Sequence, residues 1–425
     1  MYHTITSLRW DIIIKGDLHM KKIVSMLLVV AMMLCGAAFA EAGVAKEDLK
    51  IGFIAIGDEN EGYTGNFLNG VDEMLNTLGL SKDQLILKTN TGENELCYDA
   101  AIDLAEAGCQ IIIANSFGHE SYIMQAAMEY PEIEFCHATG VAAAASGLPN
   151  MHNFFGAIYE ARYVAGIVAG MKLNEMIENG TIAAEEAVIG YVGAFPFAEV
   201  VSGYTSFFLG ARSVCPSTTM VVKYTNSWGD FALEKEAAEA LIAQGCKLIS
   251  QHADTTGAPT ACEAAGVPCV GYNISMIATA PNTALISSAI NWAPFMTVAV
   301  ESVINGETFA ADWCGTYADG GVRTTEINEA ACAAGTAEAV AAAEAALKEG
   351  TLKVFDTATF TVQPSANGVY TTDEAGHVLT CIALDTNGDY VADSGEAIVD
   401  GAFAESALRS APYFELRIDG ITELA

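Results

Sequence analysis

Basic residues are scarce in this chain: 19 Lys and Arg stand against 53 Asp and Glu, a formal charge of −34 over 425 residues. So acidic a surface repels phosphate backbones and anionic headgroups, which excludes nucleic acid as a partner. Charged residues make up only 17% and apolar ones 52%, which excludes a disordered tail or a coiled coil. Catalytic signatures are missing too. No G-x-G-x-x-G follows a first strand, and G-x-x-x-x-G-K-[ST], G-x-S-x-G and H-E-x-x-H do not occur. No two cysteines make a C-x-x-C pair, which argues against zinc. The ten cysteines from Cys97 to Cys381 lie mostly in apolar patterns, as buried free thiols do. After residue 40 no apolar run is long enough to span a bilayer without polar breaks.

What is present begins with a targeting segment. Lys21 and Lys22 precede an apolar run from Ile23 to Leu34, and a small-residue stretch ends at Ala38-Phe39-Ala40. That order is a secretory signal over 20–40, cleaved before Glu41, and it implies a periplasmic or cell-surface protein. The signal opens at Met20, so residues 1–19 are expected to reflect a start codon placed too early. Lipidation at Cys35 is disfavoured, because Leu34 fills the position where lipoprotein signals want a small residue.

From Leu49 onward, short apolar runs alternate with segments of helical spacing. Ile51–Ile56, Leu85–Leu87, Ile111–Ala114 and Ile133–His137 read as strands, separated by helices. This βαβαβαβ order predicts a parallel sheet with helices on both faces. A long helix is predicted from Tyr159 to Ile177, and the rhythm then restarts at Val188–Val192, Met220–Tyr224, Lys247–Gln251 and Val267–Tyr272. The fold class is therefore α/β, with two Rossmann-like lobes in series. Later come a strand at 284–287 and helices at 292–305 and 329–349. Residues 353–425 switch to turn formers and short alternating runs, expected to be a small β-rich appendage packed on the second lobe.

Ligands of open parallel sheets lie beyond the strands' carboxyl ends. That rule nominates loops carrying Asp58, Tyr63, Phe117, Phe195, Trp228, Asp254, Asn273 and Trp292. The loop rings, Phe197 and Tyr272 among them, would sandwich a flat heterocycle as two lobes close, each stack contributing roughly 1–3 kcal/mol. Asp58, Asp254, Asn273 and Asn291 would read its ring edges or ribose hydroxyls. Ordinary interface packing is the competing explanation for each ring, and helix capping for Asp58 and Asp254. His252 and Asp254 share one side of an extended segment without an evident nucleophile, so hydrolysis is not expected. One further motif resembles a calcium loop: Asp385, Asn387, Asp389, Asp393 and Glu396 fall at its donor positions, although Tyr390 replaces its glycine. Apart from that structural calcium, no cofactor is expected.

The stretches Phe155–Gly166, Ile189–Ala194, Asn226–Asp230, Gln251–Asp254 and Val270–Asn273 together resemble the basic membrane protein family of purine-nucleoside-binding solute receptors. The resemblance runs from about residue 49 to 355. It implies a type I periplasmic-binding-protein fold, non-enzymatic, with 47–156 and 281–308 in lobe 1, 157–280 and 309–352 in lobe 2, and a hinge between. It implies a purine nucleoside or nucleobase clamped by Tyr63, Phe117, Phe195 or Trp228, with Asp254 and Asn273 as polar contacts. The implied partners of this monomer are an ABC permease and its ATPase. A sugar, a riboflavin-like heterocycle or an amino-acid-like solute stays open as ligand, and a sensor as role.

Overall fold

The computed structural model describes residues 43–387 and 391–424. Residues 1–19, the expected signal at 20–40 with Cys35, and Asp389 lie outside the described residues. The first apolar runs form strands Ile51–Ile54 (β1), Leu85–Lys88 (β2), Ile111–Ala114 (β3), Glu134–Ala138 (β4) and Met151–Gly156 (β5). Alternation along them feeds two cores. Phe53 and Ile113 pack with Phe67 on one face, while Ile54 and Ile112 pack with Leu104 and Ile123 on the other.

The second series comprises Val188–Gly193 (β6), Thr219–Tyr224 (β7), Leu248–His252 (β8), Cys269–Tyr272 (β9) and Ala284–Ile290 (β10). Asp312–Gly315 (β11) and Val322–Thr324 (β12) follow. The first sheet runs β11-β5-β4-β3-β1-β2. The second runs β12-β10-β9-β8-β6-β7, extended by a last strand at Ile421–Glu423. All neighbours in the described sheets of the lobes are parallel except β10 with β12.

This strand allocation corrects the expected division. Residues 284–290, expected in the first lobe, form β10 beside β9 in the second sheet. Residues 312–315, expected in the second lobe, pair as β11 with β5 in the first sheet. A fully buried strand such as β10 carries no local sign of which sheet receives it, nor does the half-buried Asp-Trp-Cys-Gly of β11, and only the hydrogen-bond partner decides. The helix Ala293–Asn305 between them packs on Gly62–Leu78 of the first lobe.

The chain therefore crosses between the sheets three times, after β5, after β10 and after β11. At the crossing the Ala157 N–H donates to the Gly315 carbonyl (2.7 Å) and the Asn291 N–H to the Gly321 carbonyl (2.9 Å). A side chain at Gly315 would stand 2.2 Å from the Trp313 ring and 2.8 Å from the Gly321 Cα. Backbones approach this closely only where no Cβ intervenes. The helix Ile158–Glu178 is apolar almost all round and correspondingly buried. No helix among the described residues is long and apolar enough to cross a membrane.

The segment after residue 353 gathers around its own aromatic nucleus. Phe355 stacks on Phe414 (4.3 Å), Phe403 meets Phe414 edge-on (4.8 Å), and Tyr159 of the long helix abuts Phe355 (5.4 Å). Arg212 pairs with Asp419 (2.6 Å), and the Ser410 N–H donates to Asp312 (2.9 Å) at the edge of the first sheet. The expected calcium loop is instead the turn of a hairpin between Val378–Leu384 and Ser394–Glu396. The Glu396 carboxylate accepts the N–H groups of Cys381 and Ile398, and Asp393 accepts from Thr386. No metal-holding cluster occurs among the described residues.

Candidate functional site

Every loop that approaches the interlobe cleft leaves a strand's carboxyl end. After β1, the Glu61 carboxylate caps the helix Gly62–Leu78 by accepting from the Tyr63 and Thr64 N–H groups (2.6 and 2.8 Å). That cap sets Tyr63 in the first turn, where its hydroxyl donates to the Asn115 carbonyl (2.6 Å) beyond β3. Glu93 shapes the next loop by accepting from Ser116 Oγ and the Gly118 N–H, both at 2.7 Å. Phe117 projects from it, 51% exposed. Non-glycine residues in the left-handed region follow β2, β4, β7 and β9: Asn90, Thr139, Asn226 and Asn273. Such conformations cost on the order of 1–3 kcal/mol and collect where function shapes a loop; Thr139, β-branched, is the most telling.

From the second lobe, Trp228 follows β7 and its carbonyl accepts the Asp254 N–H (2.9 Å). Asp254 follows β8, and its carboxylate accepts from Asn273 Nδ2 (2.7 Å). The Gly62 N–H of the first lobe donates to the Asp254 carbonyl (3.2 Å), so the lobes touch at the cleft floor. Tyr63, Asn115, Phe117 and Thr139 from one lobe, and Glu199, Trp228, His252, Asp254 and Tyr272 from the other, border one space of about 50 Å³. A few waters fill such a volume, so a flat heterocycle enters only with the lobes further apart.

The electrostatics beneath the cleft centre on Arg162, fully buried on the long helix. Its guanidinium lies 3.8 Å from the Tyr272 ring centroid, and Nη1 donates to the Gln251 carbonyl (2.6 Å). His252 Nε2 lies 3.3 Å from Glu199 Oε1. Burial, with the Arg162 charge, holds the His252 imidazole neutral, far below its ordinary pKa. Burial pushes Glu199 up to about 7, against the pull of Arg162. Burial first, then the neighbouring Glu61, Glu234 and Glu199, holds the Asp254 carboxyl well above the usual range. The floor thus holds two carboxyl groups whose ionised forms burial disfavours.

The nominated residues divide. Tyr63, Phe117, Trp228 and Asp254 border the cleft. Phe195 stands behind it, stacked on Phe197 (5.1 Å) and edge-on to Trp228 (5.2 Å). Asn273 is buried beneath Asp254 and orients it. Trp292 does not border the cleft: it is core, stacked on Phe67 at 3.8 Å, because the crossing after β10 turns its ring into the first lobe. Asp58 does not border it either; its carboxylate accepts from the Asn60 N–H (3.0 Å) and Asn90 Nδ2 (3.4 Å), holding a turn. Tyr272, one of the loop rings, and His252, read as a hydrogen-bonded structural residue, also border the cleft, as do Asn115, Thr139 and Glu199, which were not among the nominated contacts. Arg162 had a signal: it is the only basic residue in the apolar run Ala157–Gly170.

Residues 58–332 match the family model described as ABC transporter substrate-binding protein PnrA-like. A purine-binding protein of Brucella abortus (strain 2308) is 34% identical over 279 residues, which is 65% of this chain and 74% of that protein. A Haloferax volcanii protein named as a candidate ABC transporter glucose-binding protein is 38% identical over 212 residues, half of each chain. Among solved structures, an ABC transporter solute-binding protein of Aeropyrum pernix K1 superposes with a TM-score of 0.62 at 15% identity, covering 76% of this chain and 95% of that one. That likeness shows the fold.

Proposed function

Because the chain belongs to the family of PnrA-like ABC transporter substrate-binding proteins, we propose that it captures a purine nucleoside or nucleobase between its two lobes. The observation that carries this reading is the pairing of rings from both lobes, Tyr63 and Phe117 against Trp228 and Tyr272, over the buried Asp254 carboxyl. Flat faces gain from stacking on such rings. A purine ring N–H meeting Asp254 supplies the donor that lets this carboxyl ionise, and the Asn273 amide already holds its other contact. The family consists of binding proteins, and the site is read as one: His252 faces Glu199 rather than a nucleophile.

Binding favours closure, since the ligand touches both lobes only when they are together. The closed receptor then presents its cargo to a membrane permease driven by an ATPase subunit. It works outside the cytoplasm as a monomer, with residues 20–40 directing export. Thermal unfolding against nucleosides, nucleobases, glucose and riboflavin tests the reading. At 100 times its dissociation constant a true ligand adds about 2.7 kcal/mol of stability. A shift with glucose or riboflavin and none with purines would refute it.

A further inference from the structure

Beneath the cleft floor the long helix Ile158–Glu178 carries a charge whose burial stability alone does not explain. Arg162 is fully buried, and it does not itself border the cleft. The arginines that form ion pairs among the described residues are Arg212, Arg323 and Arg417. Arg162 instead makes one hydrogen bond, from Nη1 to the Gln251 carbonyl (2.6 Å), while Nε and Nη2 have no hydrogen-bond partner among the described residues. Burying a guanidinium without a carboxylate is costly, and replacing a buried charge by a well-packed apolar side chain is often neutral or stabilising.

What the charge touches is the ligand-facing floor. The guanidinium lies 3.8 Å from the Tyr272 ring centroid and 5.9 Å from that of Tyr191, and Tyr272 borders the cleft. Gln251, whose carbonyl accepts from Arg162, donates through Nε2 to the carbonyls of Ala253 (2.7 Å) and Thr255 (2.9 Å), one on each side of Asp254. The Asp254 N–H in turn donates to the Trp228 carbonyl, and the Asp254 carbonyl accepts from Gly62 of the first lobe. One buried cation is thus joined to Tyr272 directly and to Asp254 through Gln251. We propose that Arg162 is a positioning residue for ligand capture, fixing the Tyr272 ring by cation–π contact and the main chain around Asp254 through Gln251. Groups held in place before the ligand arrives bind it more tightly, because less ordering is left to be done. Only a guanidinium covers a ring with its plane while its edge donates; a lysine keeps the charge and a donor without the plane. The proposal rests on the reading that a purine occupies this cleft, and adds to it a residue that the purine never touches.

Calorimetric titration of the full chain with inosine, guanosine, adenosine and their free bases, beside urea unfolding, tests this. Arg162→Met is expected to unfold at the wild type's urea midpoint or above it, yet to bind about tenfold more weakly whichever purine the wild type binds. Arg162→Lys is expected to bind that purine about threefold tighter than the methionine variant. Gln251→Leu leaves the arginine in place and is expected to weaken binding severalfold. Combined with Arg162→Met it should lose less than the product of the two single losses, since the arginine acts in part through this glutamine. Wild-type affinity in Arg162→Met or in Gln251→Leu overturns the proposal. So does a methionine variant too unstable to fold, since the charge then serves the fold rather than the site. If the wild type binds none of these purines, the purine reading falls, and the same variants are compared with whichever of glucose and riboflavin it binds; binding of none of them overturns both.

Discussion

Replacing Glu199 by Gln tests the electrostatic account of the cleft most directly. The carboxyl ionises near 4.5 in the unfolded chain and is pushed up to about 7 by burial in the folded one. Between those values the folded state holds a proton that the unfolded state releases, so stability falls as pH rises and levels off above about 7. At 1.36 kcal/mol per pKa unit the full penalty is about 3 kcal/mol. Glutamine keeps the shape and cannot ionise. It also alters one hydrogen bond to His252, worth about 1 kcal/mol at any pH. The variant should therefore match or slightly trail the wild type at pH 4.5 and exceed it by about 2 kcal/mol at pH 8. Three other buried glutamates, Glu160, Glu234 and Glu405, are likewise raised to about 7 and steepen both curves equally. Urea unfolding of both proteins at pH 4.5, 6, 7 and 8 isolates Glu199 in the difference between them. A difference that stays flat with pH, or that turns against the variant as pH rises, would refute the reasoning.

Other consequences are equally open to measurement. Trp228→Ala should weaken purine binding by about five- to a hundredfold in calorimetry, the value of one lost stack of roughly 1–3 kcal/mol; unchanged affinity removes this ring from the site. Trp292→Ala should cost about 3–5 kcal/mol of stability by emptying the space against Phe67 and Phe154. A melting temperature like the wild type's would mean that the ring is not core. Gly315→Ala places a methyl against Trp313 and Gly321, and overpacking of this kind costs about 1–3 kcal/mol. Small-angle scattering should then show less compaction on adding ligand, and compaction equal to the wild type's would clear the crossing of any part in closure.

The alternation of apolar strands and helices between Leu49 and Tyr272 was legible because each such element is written locally, in the spacing of side chains that must be buried. The carboxyl-end rule likewise located the loops of Tyr63, Phe117, Trp228 and Asp254, since it depends only on strand order. Membership of a sheet after Tyr272 was not legible. β10 is buried along its whole length and β11 reads Asp-Trp-Cys-Gly without an apolar run, and neither pattern says which sheet receives the strand until a partner is beside it. Trp292 illustrates the same limit within a single residue, its loop position being readable and its direction not. The spacing of acids near Asp385 says nothing of the backbone donors that Glu396 and Asp393 accept from.

The sequence by itself determined the fold class, the acidity that turns away polyanions, and the loops that reach the cleft, because these follow from composition and from period along the chain. Only the tertiary structure decided that Arg162 lies under Tyr272, that Glu199 faces His252, and that Arg409 stands across a chamber from Trp228. Those pairs are separated by 53 to 181 positions. Contacts at such range depend on where whole layers of structure come to rest, and no local pattern encodes that.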